Sequence, residues 1–274
     1  MTPAVFRKLI WAHYRKEGRH SLPWRKPRDP YRILVSEIML QQTQVDRVIP
    51  KYQSFLKKFP SFKELSKASL QSVLVEWKGL GYNRRALGLK RAAETVMKKY
   101  GGRLPTLYSE LVELSGIGPY TAHAVRTFAW NEPDVFIETN IRSVFIHHFF
   151  AKATPQRPDN KISDTQLIPL VEKTLDKKRP REWYYALMDY GTHLKKTVGN
   201  ASRKSSSYTK QSKFKGSHRE LRARVLHVIA QKKKISMKNI ATAIHKKETE
   251  VQSVVKELVR DGFVKRNKSL VCIA

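Results

Sequence analysis

The chain has 274 residues, enough for one large or two modest domains, and its 41% hydrophobic content is that of a folded protein. Lys and Arg number 54 against 23 Asp and Glu, a formal net charge of +31. A charge of that size needs a polyanionic partner, nucleic acid first and an anionic membrane surface second, or strong counterion screening; a merely soluble basic protein is the other reading. No run approaches the roughly 18 apolar residues of a membrane span. Residues 1–16 interleave Arg7, Lys8, Arg15 and Lys16 with Phe6, Leu9, Ile10 and Trp11, so the apolar stretch of a signal peptide is missing. Cys272 is the single cysteine, which excludes an intrachain disulfide, a four-cysteine zinc site and a cysteine-held iron–sulfur cluster. The expectation is a cytoplasmic, nucleoid-associated protein without a metal cofactor and without a membrane partner.

Residues 1–196 read as helix after helix, broken by short Gly, Pro and Asn signals. Asp29-Pro30 marks a helix start, with Asp as cap and Pro in the first turn. Gly79-Leu80-Gly81 ends one helix, residues 84–100 form the next, and Gly101-Gly102 closes it. From 197 to 216 Ser, Thr, Lys and Asn dominate, the texture of a basic linker. Periodicity returns in residues 217–274. Three short helices fit near 219–231, 236–245 and 248–261, and Gly262-Phe263-Val264-Lys265 and the Ser269–Ile273 stretch pair as a two-stranded wing. That is the pattern of a winged helix-turn-helix, with Lys232, Lys233, Lys234, Lys238, Lys246 and Lys247 around its middle helix. A small helical module for protein contact has the same pattern. The fold class is therefore mainly α, with a helical domain over 1–196, a linker, and a small C-terminal winged-helix-like domain over 217–274.

The segment Leu114-Ser115-Gly116-Ile117-Gly118-Pro119-Tyr120-Thr121-Ala122 lies between two helical patterns. Gly116 and Gly118 let the backbone turn tightly and bring its N–H groups to an anion, and the helix opening at Pro119 presents its positive end. Such a hairpin suits a DNA phosphate; a plain helix–helix turn is the other reading.

Two carboxylates stand in unlike settings. Glu37 follows Ile33 and Leu34 by four and three residues and so shares their apolar face, where a carboxyl group keeps its proton more readily. Most helical glutamates instead lie on the polar face beside a Lys or Arg. Glu138 follows Val135-Phe136-Ile137 and precedes Thr139, a good cap, and a helix over 140–150, whose positive end favours the anion. Taken alone, Glu138 is an ordinary acidic residue at a helix start. Together the two divide into a proton donor and an electrostatic stabiliser, which is what cleavage of a glycosidic bond needs.

With these residues in view, the chain from about 20 to 195 resembles the MutY-type adenine glycosylases of the helix-hairpin-helix superfamily that includes endonuclease III. The runs that carry the likeness are Leu22-Pro23-Trp24-Arg25, Ser36-Glu37-Ile38-Met39-Leu40-Gln41-Gln42-Thr43-Gln44-Val45, Trp77-Lys78-Gly79-Leu80-Gly81-Tyr82, the hairpin, and Ala186-Leu187-Met188-Asp189-Tyr190-Gly191. The resemblance implies two helical lobes with a DNA-facing cleft between them. It implies that Glu37 is the catalytic acid, that Gln41, Gln42 and Thr43 probe the stack and the opposite base, and that Tyr82 wedges the duplex. It places Trp24, Arg25 and Asp189 in the base pocket, and Gly116, Gly118 and Thr121 on the DNA. Tyr120 stands where strand-cleaving relatives carry lysine, so no Schiff base forms there. Glu138-Thr139-Asn140 replaces the family's Asp-Gly-Asn, leaving Glu138 and Asn140 in the catalytic positions with a longer acid.

The function implied is removal of adenine opposite 8-oxoguanine or guanine by a monomer on double-stranded DNA. The alternatives are a thymine or uracil glycosylase for mismatches with guanine, and a catalytically inactive DNA-binding regulator. RNA binding is a further explanation of the charge.

Overall fold

The computed structural model describes residues 1–150 and 161–274. The helices in chain order are α1 (Pro3–Glu17), α2 (Pro30–Leu40), α3 (Val45–Lys58), α4 (Phe62–Lys67), α5 (Leu70–Trp77), α6 (Arg84–Tyr100), α7 (Tyr108–Val112), α8 (Pro119–Trp130), α9 (Thr139–Phe149), α10 (Asp164–Thr174), α11 (Pro180–Thr197), α12 (His218–Ala230), α13 (Met237–Ile244) and α14 (Glu248–Arg260). Among the described residues three short strands, β1 (Ile235–Ser236), β2 (Val264–Asn267) and β3 (Leu270–Ile273), lie near the C-terminus. The chain divides into two compact units, each made of two separated stretches: residues 1–34 with 117–210, and residues 35–116 with 211–274. The units therefore do not follow the chain order of domain, linker and domain expected from composition.

The first unit is built around α11. Pro180 opens this helix, where a missing N–H costs nothing. Its buried face carries Trp183, Tyr184 and Leu187. Tyr184 stacks on Phe136 with ring centroids 3.9 Å apart, and Tyr185 on Phe128 at 4.7 Å. Phe6 of α1 meets Phe145, Phe149 and Trp183. The Ser-rich stretch expected to be linker is partly built into this unit. A 3-10 helix runs over Ala201–Lys204, Ser202 and Ser205 are buried, and Ile162 pairs with Ser205. Asn200 makes this possible by accepting from the Ser202 N–H and hydroxyl.

In the second unit α6 runs over the expected residues and stops at Gly101, a left-handed C-cap with φ 60°. Its alanines Ala86, Ala92 and Ala93 are buried, with Phe55 and Trp77 among the large fully buried side chains of the same unit. The C-terminal part has the three helices and the hairpin read from the sequence, and β1 extends the wing to a three-stranded sheet ordered β1-β3-β2. Val264 pairs with Ile273 and Asn267 with Leu270. Helix α12 packs on α5, Gln71 donates to the Ala230 carbonyl at 2.7 Å, and Arg84 reaches both Asp261 carboxylate oxygens at 2.9 Å. Apolar burial holds this module together. Val225, Leu226, Ile229, Val251, Val254 and Leu258 are almost wholly buried, at about 1.5–3 kcal/mol each, whereas an exposed ion pair contributes about 0–1 kcal/mol.

Candidate active site

In the second unit, Glu37 lies in α2 with only 8% of its surface exposed, amid a run of buried residues from Ile33 to Met39. The three carbonyls at the end of this helix would lack donors. Arg85 supplies them. Its Nη1 donates to the carbonyls of Ile38, Met39 and Gln41 at 2.8, 2.9 and 2.6 Å. Its Nη2 donates to Leu80 and Gly81 carbonyls and to Thr43 Oγ1 at 2.9, 3.1 and 3.1 Å. One guanidinium thus ties the end of α2 to the loop before α6, and burial pushes its pKa down to about 10. Gln42 and Tyr82 occupy the tips of these two segments in the left-handed region, at φ 53° and 47°, an unusual place for side chains of that size.

The C-terminal stretch reaches the same two tips. Gln211 Nε2 donates to Gln42 Oε1 at 3.3 Å and to the Tyr82 hydroxyl. Arg219 Nη1 donates to the Tyr82 hydroxyl at 2.7 Å. A cavity of about 860 Å³ opens here, with Gln41, Gln42, Tyr82, Arg84, Phe214 and Arg219 in its lining. Gly116 belongs to this unit too. Its φ of 82° and its approach to Gly88, where a Cβ would stand 3.3 Å from the Gly88 Cα, both exclude a side chain.

In the first unit, α8 opens at Gly118-Pro119. Gly118 is its N-cap in extended backbone, and a Cβ there would meet nothing within 4 Å. Gly118 is therefore not forced by strain, unlike Gly116. Thr121 is buried, and Tyr120 sits edge-on to Phe136 with centroids 5.7 Å apart.

Glu138, rather than Thr139, is the N-cap of α9. Its Oε1 accepts from the N–H groups of Asn140 and Ile141 at 2.6 and 2.9 Å. The Glu138 carboxylate folds back and caps the helix, the role expected of the Thr139 hydroxyl. Oε2 accepts from Asn140 Nδ2 at 3.2 Å, and Lys195 Nζ donates to Asn140 Oδ1 at 2.7 Å.

Trp24 is 4% exposed, and the arginine after it is locked. Arg25 meets the Asp189 carboxylate in two parallel bonds of 2.7 and 2.8 Å and lies over the Tyr185 ring at 4.5 Å. Arg19 adds its N–H and Nε to the same carboxylate at 2.8 and 2.6 Å. Burial pushes the Asp189 carboxyl up, but the bonds and charges of Arg25 and Arg19 outweigh it and hold it below the usual carboxylate range.

The predicted residues thus fall into two groups: Glu37, Gln41, Gln42, Thr43, Tyr82 and Gly116 in one unit, and Trp24, Arg25, Gly118, Tyr120, Thr121, Glu138, Asn140 and Asp189 in the other. Residues 35–167 match the model of the HhH-GPD superfamily of base excision DNA repair proteins. A thymine/uracil-DNA glycosylase of Pyrobaculum aerophilum is 30% identical over 188 residues, 68% of this chain and 80% of that protein. The chain belongs to the HhH-GPD superfamily. It is also 37% identical to an adenine DNA glycosylase of Buchnera aphidicola over 191 residues, 70% of this chain and 53% of that protein, and 33% identical to the human adenine DNA glycosylase over 196 residues. The chain spans about half the length of the Buchnera relative and covers 35% of the human one. Among solved structures, a thermostable thymine-DNA glycosylase superposes with a TM-score of 0.63 at 28% identity, covering 74% of this chain and 92% of that one. An endonuclease III bound to DNA shares the fold, at a TM-score of 0.58, 16% identity, and 72% and 89% coverage.

Arg85, Lys195, Gln211 and Arg219 were not singled out from the sequence. Among the described residues, no group of three or more His, Cys, Asp or Glu side chains is placed to hold a metal ion, and no helix is long and apolar enough to cross a membrane. The iron–sulfur cluster usual in adenine glycosylases does not fit this chain, whose sole cysteine lies in β3.

Proposed function

We propose that the protein is a monofunctional DNA glycosylase that flips adenine out of a duplex, opposite 8-oxoguanine or guanine, and hydrolyses its N-glycosidic bond without an iron–sulfur cluster. The observation that carries this reading is the contrast between the two carboxylates. Glu37 is buried on a helix of apolar neighbours, the setting that favours a proton-bearing acid, and Glu138 is held by three N–H donors at the start of α9. Glu37 protonates the departing base, so that it leaves neutral; Glu138 supports the cationic character of the sugar. Asn140 orients Glu138. Trp24 and the Arg25–Asp189 pair wall the base pocket, and Gln41, Gln42, Thr43 and Tyr82 enter the duplex where the base has left. The helix start at Gly118 and Thr121, with the Gly116 turn before it, takes a backbone phosphate. Tyr120 has no amine, so an abasic strand is left uncut. The lysine-rich C-terminal module, residues 217–274, adds phosphate contacts, and the protein acts as a monomer in the compartment that holds the DNA.

Adenine is favoured by the Leu40-Gln41-Gln42-Thr43-Gln44 run and by the higher identity to adenine glycosylases. Thymine or uracil opposite guanine is the second reading, favoured by the better coverage of the Pyrobaculum relative. Single-turnover base release from A:8-oxoguanine, A:G, T:G and U:G duplexes separates the two. Release of thymine or uracil but not adenine overturns the first reading, and release of no base from any duplex overturns both.

A further inference from the structure

Helix α11 presents two residues one turn apart to the start of α9. At Gly191 the two backbones touch: a Cβ there would stand 2.5 Å from the Asn140 carbonyl oxygen and 2.7 Å from the Asn140 Cβ. Lys195, four residues on and so on the same face, is half-buried and extends its ammonium to Asn140 Oδ1 at 2.7 Å. The other end of the same amide, Nδ2, donates to Glu138 Oε2 at 3.2 Å. Glu138 Oε1 meanwhile takes the N–H groups of Asn140 and Ile141.

An asparagine amide can be turned over by half a rotation, and its two ends are nearly the same size. Here only one orientation is tolerable. Turned over, Nδ2 would face an ammonium, donor against donor, and Oδ1 would face a carboxylate, acceptor against acceptor. The ammonium on one side and the carboxylate on the other therefore fix the amide between them, and the charge passes through it as a polarised chain of hydrogen bonds. Burial holds the Lys195 pKa below its ordinary value, with the Glu138 charge opposing this and the Arg142 charge adding to it. The neighbouring cation, Arg142, is engaged elsewhere, bound to Asp164 through two bonds of 2.7 Å. Lys195 is the cation that meets the Asn140 amide oxygen.

We propose that Lys195 is a positioning residue for base excision. It holds the Asn140 amide in the one orientation that donates to Glu138, and so keeps the longer acid of this chain in place. The inference rests on the role given above to Glu138. It explains how a glutamate, with one more rotatable bond than aspartate, is held still: its carboxylate is gripped by two backbone donors and by an amide that is itself gripped from behind.

The test is a double-mutant cycle of Lys195→Met and Asn140→Ala, read by single-turnover base release at saturating enzyme, by duplex affinity across a salt series, and by NMR of protein labelled with 15N in asparagine. The resonances of the Asn140 side-chain amide are assigned by their loss in Asn140→Ala. Because a displacement of about 1 Å costs about 100-fold, Lys195→Met is expected to slow release by about 10- to 100-fold with affinity changed by less than about 3-fold. The double variant is expected to be no slower than the worse single one, since both remove the same support. Lys195→Arg, which keeps charge and donors, is expected to recover most of the rate. In the NMR arm the Asn140 amide protons exchange slowly in the wild type and at least 10-fold faster in Lys195→Met, an effect of losing one end of a doubly anchored group. Three results overturn the proposal. They are an unchanged rate in Lys195→Met beside an active wild type, a loss confined to affinity and salt slope, which would make Lys195 a phosphate contact, and unchanged exchange of the Asn140 amide. The exchange measurement decides the matter even where the wild type releases no base, the result that refutes the assigned activity instead.

Discussion

Replacing Arg85, in the first turn of α6, by alanine should destabilise the second unit. Its two Nη groups carry four N–H bonds shared among six acceptors, all within 3.1 Å. Alanine leaves the carbonyls of Ile38, Met39 and Gln41 at the end of α2 and those of Leu80 and Gly81 without these donors. Each buried carbonyl left unsatisfied costs about 1–3 kcal/mol. Water reaches part of this loop, because Gly81 and Gln41 are half-buried and Tyr82 is exposed, so the sum is capped near the roughly 3–5 kcal/mol seen when a buried charged partner is removed. For a unit of this size that corresponds to a fall in Tm of about 6–20 °C. Arg85→Lys retains the charge but offers three donors from a point rather than a planar fork, so it should recover less than half. Thermal unfolding by circular dichroism gives the first number. Hydrogen exchange of the amides around Gln42 and Tyr82 gives the second, because the left-handed backbone at both tips depends on this anchor. A Tm within about 2 °C of wild type, with unchanged exchange at those amides, would refute the reasoning.

Glu37→Gln keeps the shape but donates no proton of the required acidity. Single-turnover base release should fall by about 10²–10⁴-fold with duplex affinity nearly unchanged, and substantial turnover would remove Glu37 as the acid. Asp189→Asn strips the counter-charge from Arg25, whose side chain is 5% exposed, and should cost about 3–5 kcal/mol at neutral pH by denaturant unfolding. Because the Asp189 pKa is lowered on folding, its stabilisation is present above the ordinary carboxylate pKa and lost as pH falls through the lowered one, so the variant should also lose part of the wild-type acid limb below about pH 4. His148, stacked on Tyr190, has its pKa pushed down to about 4 by burial and then by His147. The unfolded chain takes up this proton near pH 6.5 and the folded one only near pH 4, so stability falls across that window. His148→Phe should flatten the fall, and an equal loss in both proteins between pH 7 and pH 5 would assign it to another group. Tyr120→Lys places an amine at the start of α8. It should give a borohydride-trappable crosslink to abasic DNA that the wild type lacks, and a wild-type crosslink of equal strength would end the monofunctional assignment.

Local signals carried much of the architecture. The span of α6, its stop at Gly101, the opening of α8 at Pro119 and the three C-terminal helices all follow from caps and apolar spacing, which act within a few residues. The burial of Glu37 was legible for the same reason. What escaped depends on partners far along the chain. Arg85 looks like any arginine after a glycine-rich loop until its acceptors arrive from 44 to 47 residues earlier. Lys195 binds an amide 55 residues before it, in a run that reads as solvated charge. The serines of 202–206 read as linker because composition registers their polarity, whereas Ser202 and Ser205 are buried with their hydroxyls bonded. Glu138 lies at a helix start as expected, but its carboxylate, rather than the Thr139 hydroxyl, caps the helix.

The second unit closes only when the last part of the chain arrives. Residues 35–116 leave the ribosome well before residues 211–274, with most of the other unit's sequence made in between. Until α12 emerges, the α5 surface that includes Leu74 and Gln71 has no cover, and Tyr82 lacks the Arg219 that holds its hydroxyl. The nascent chain therefore passes through a stage in which its first unit can form while its second waits, with apolar surface open to chaperones or to neighbouring copies. A shortened protein ending at residue 210 is arrested at that stage. A weaker grip on DNA in that chain would reflect an unfinished unit as well as missing lysines, and comparing it with a full-length chain whose module lysines are neutralised separates the two.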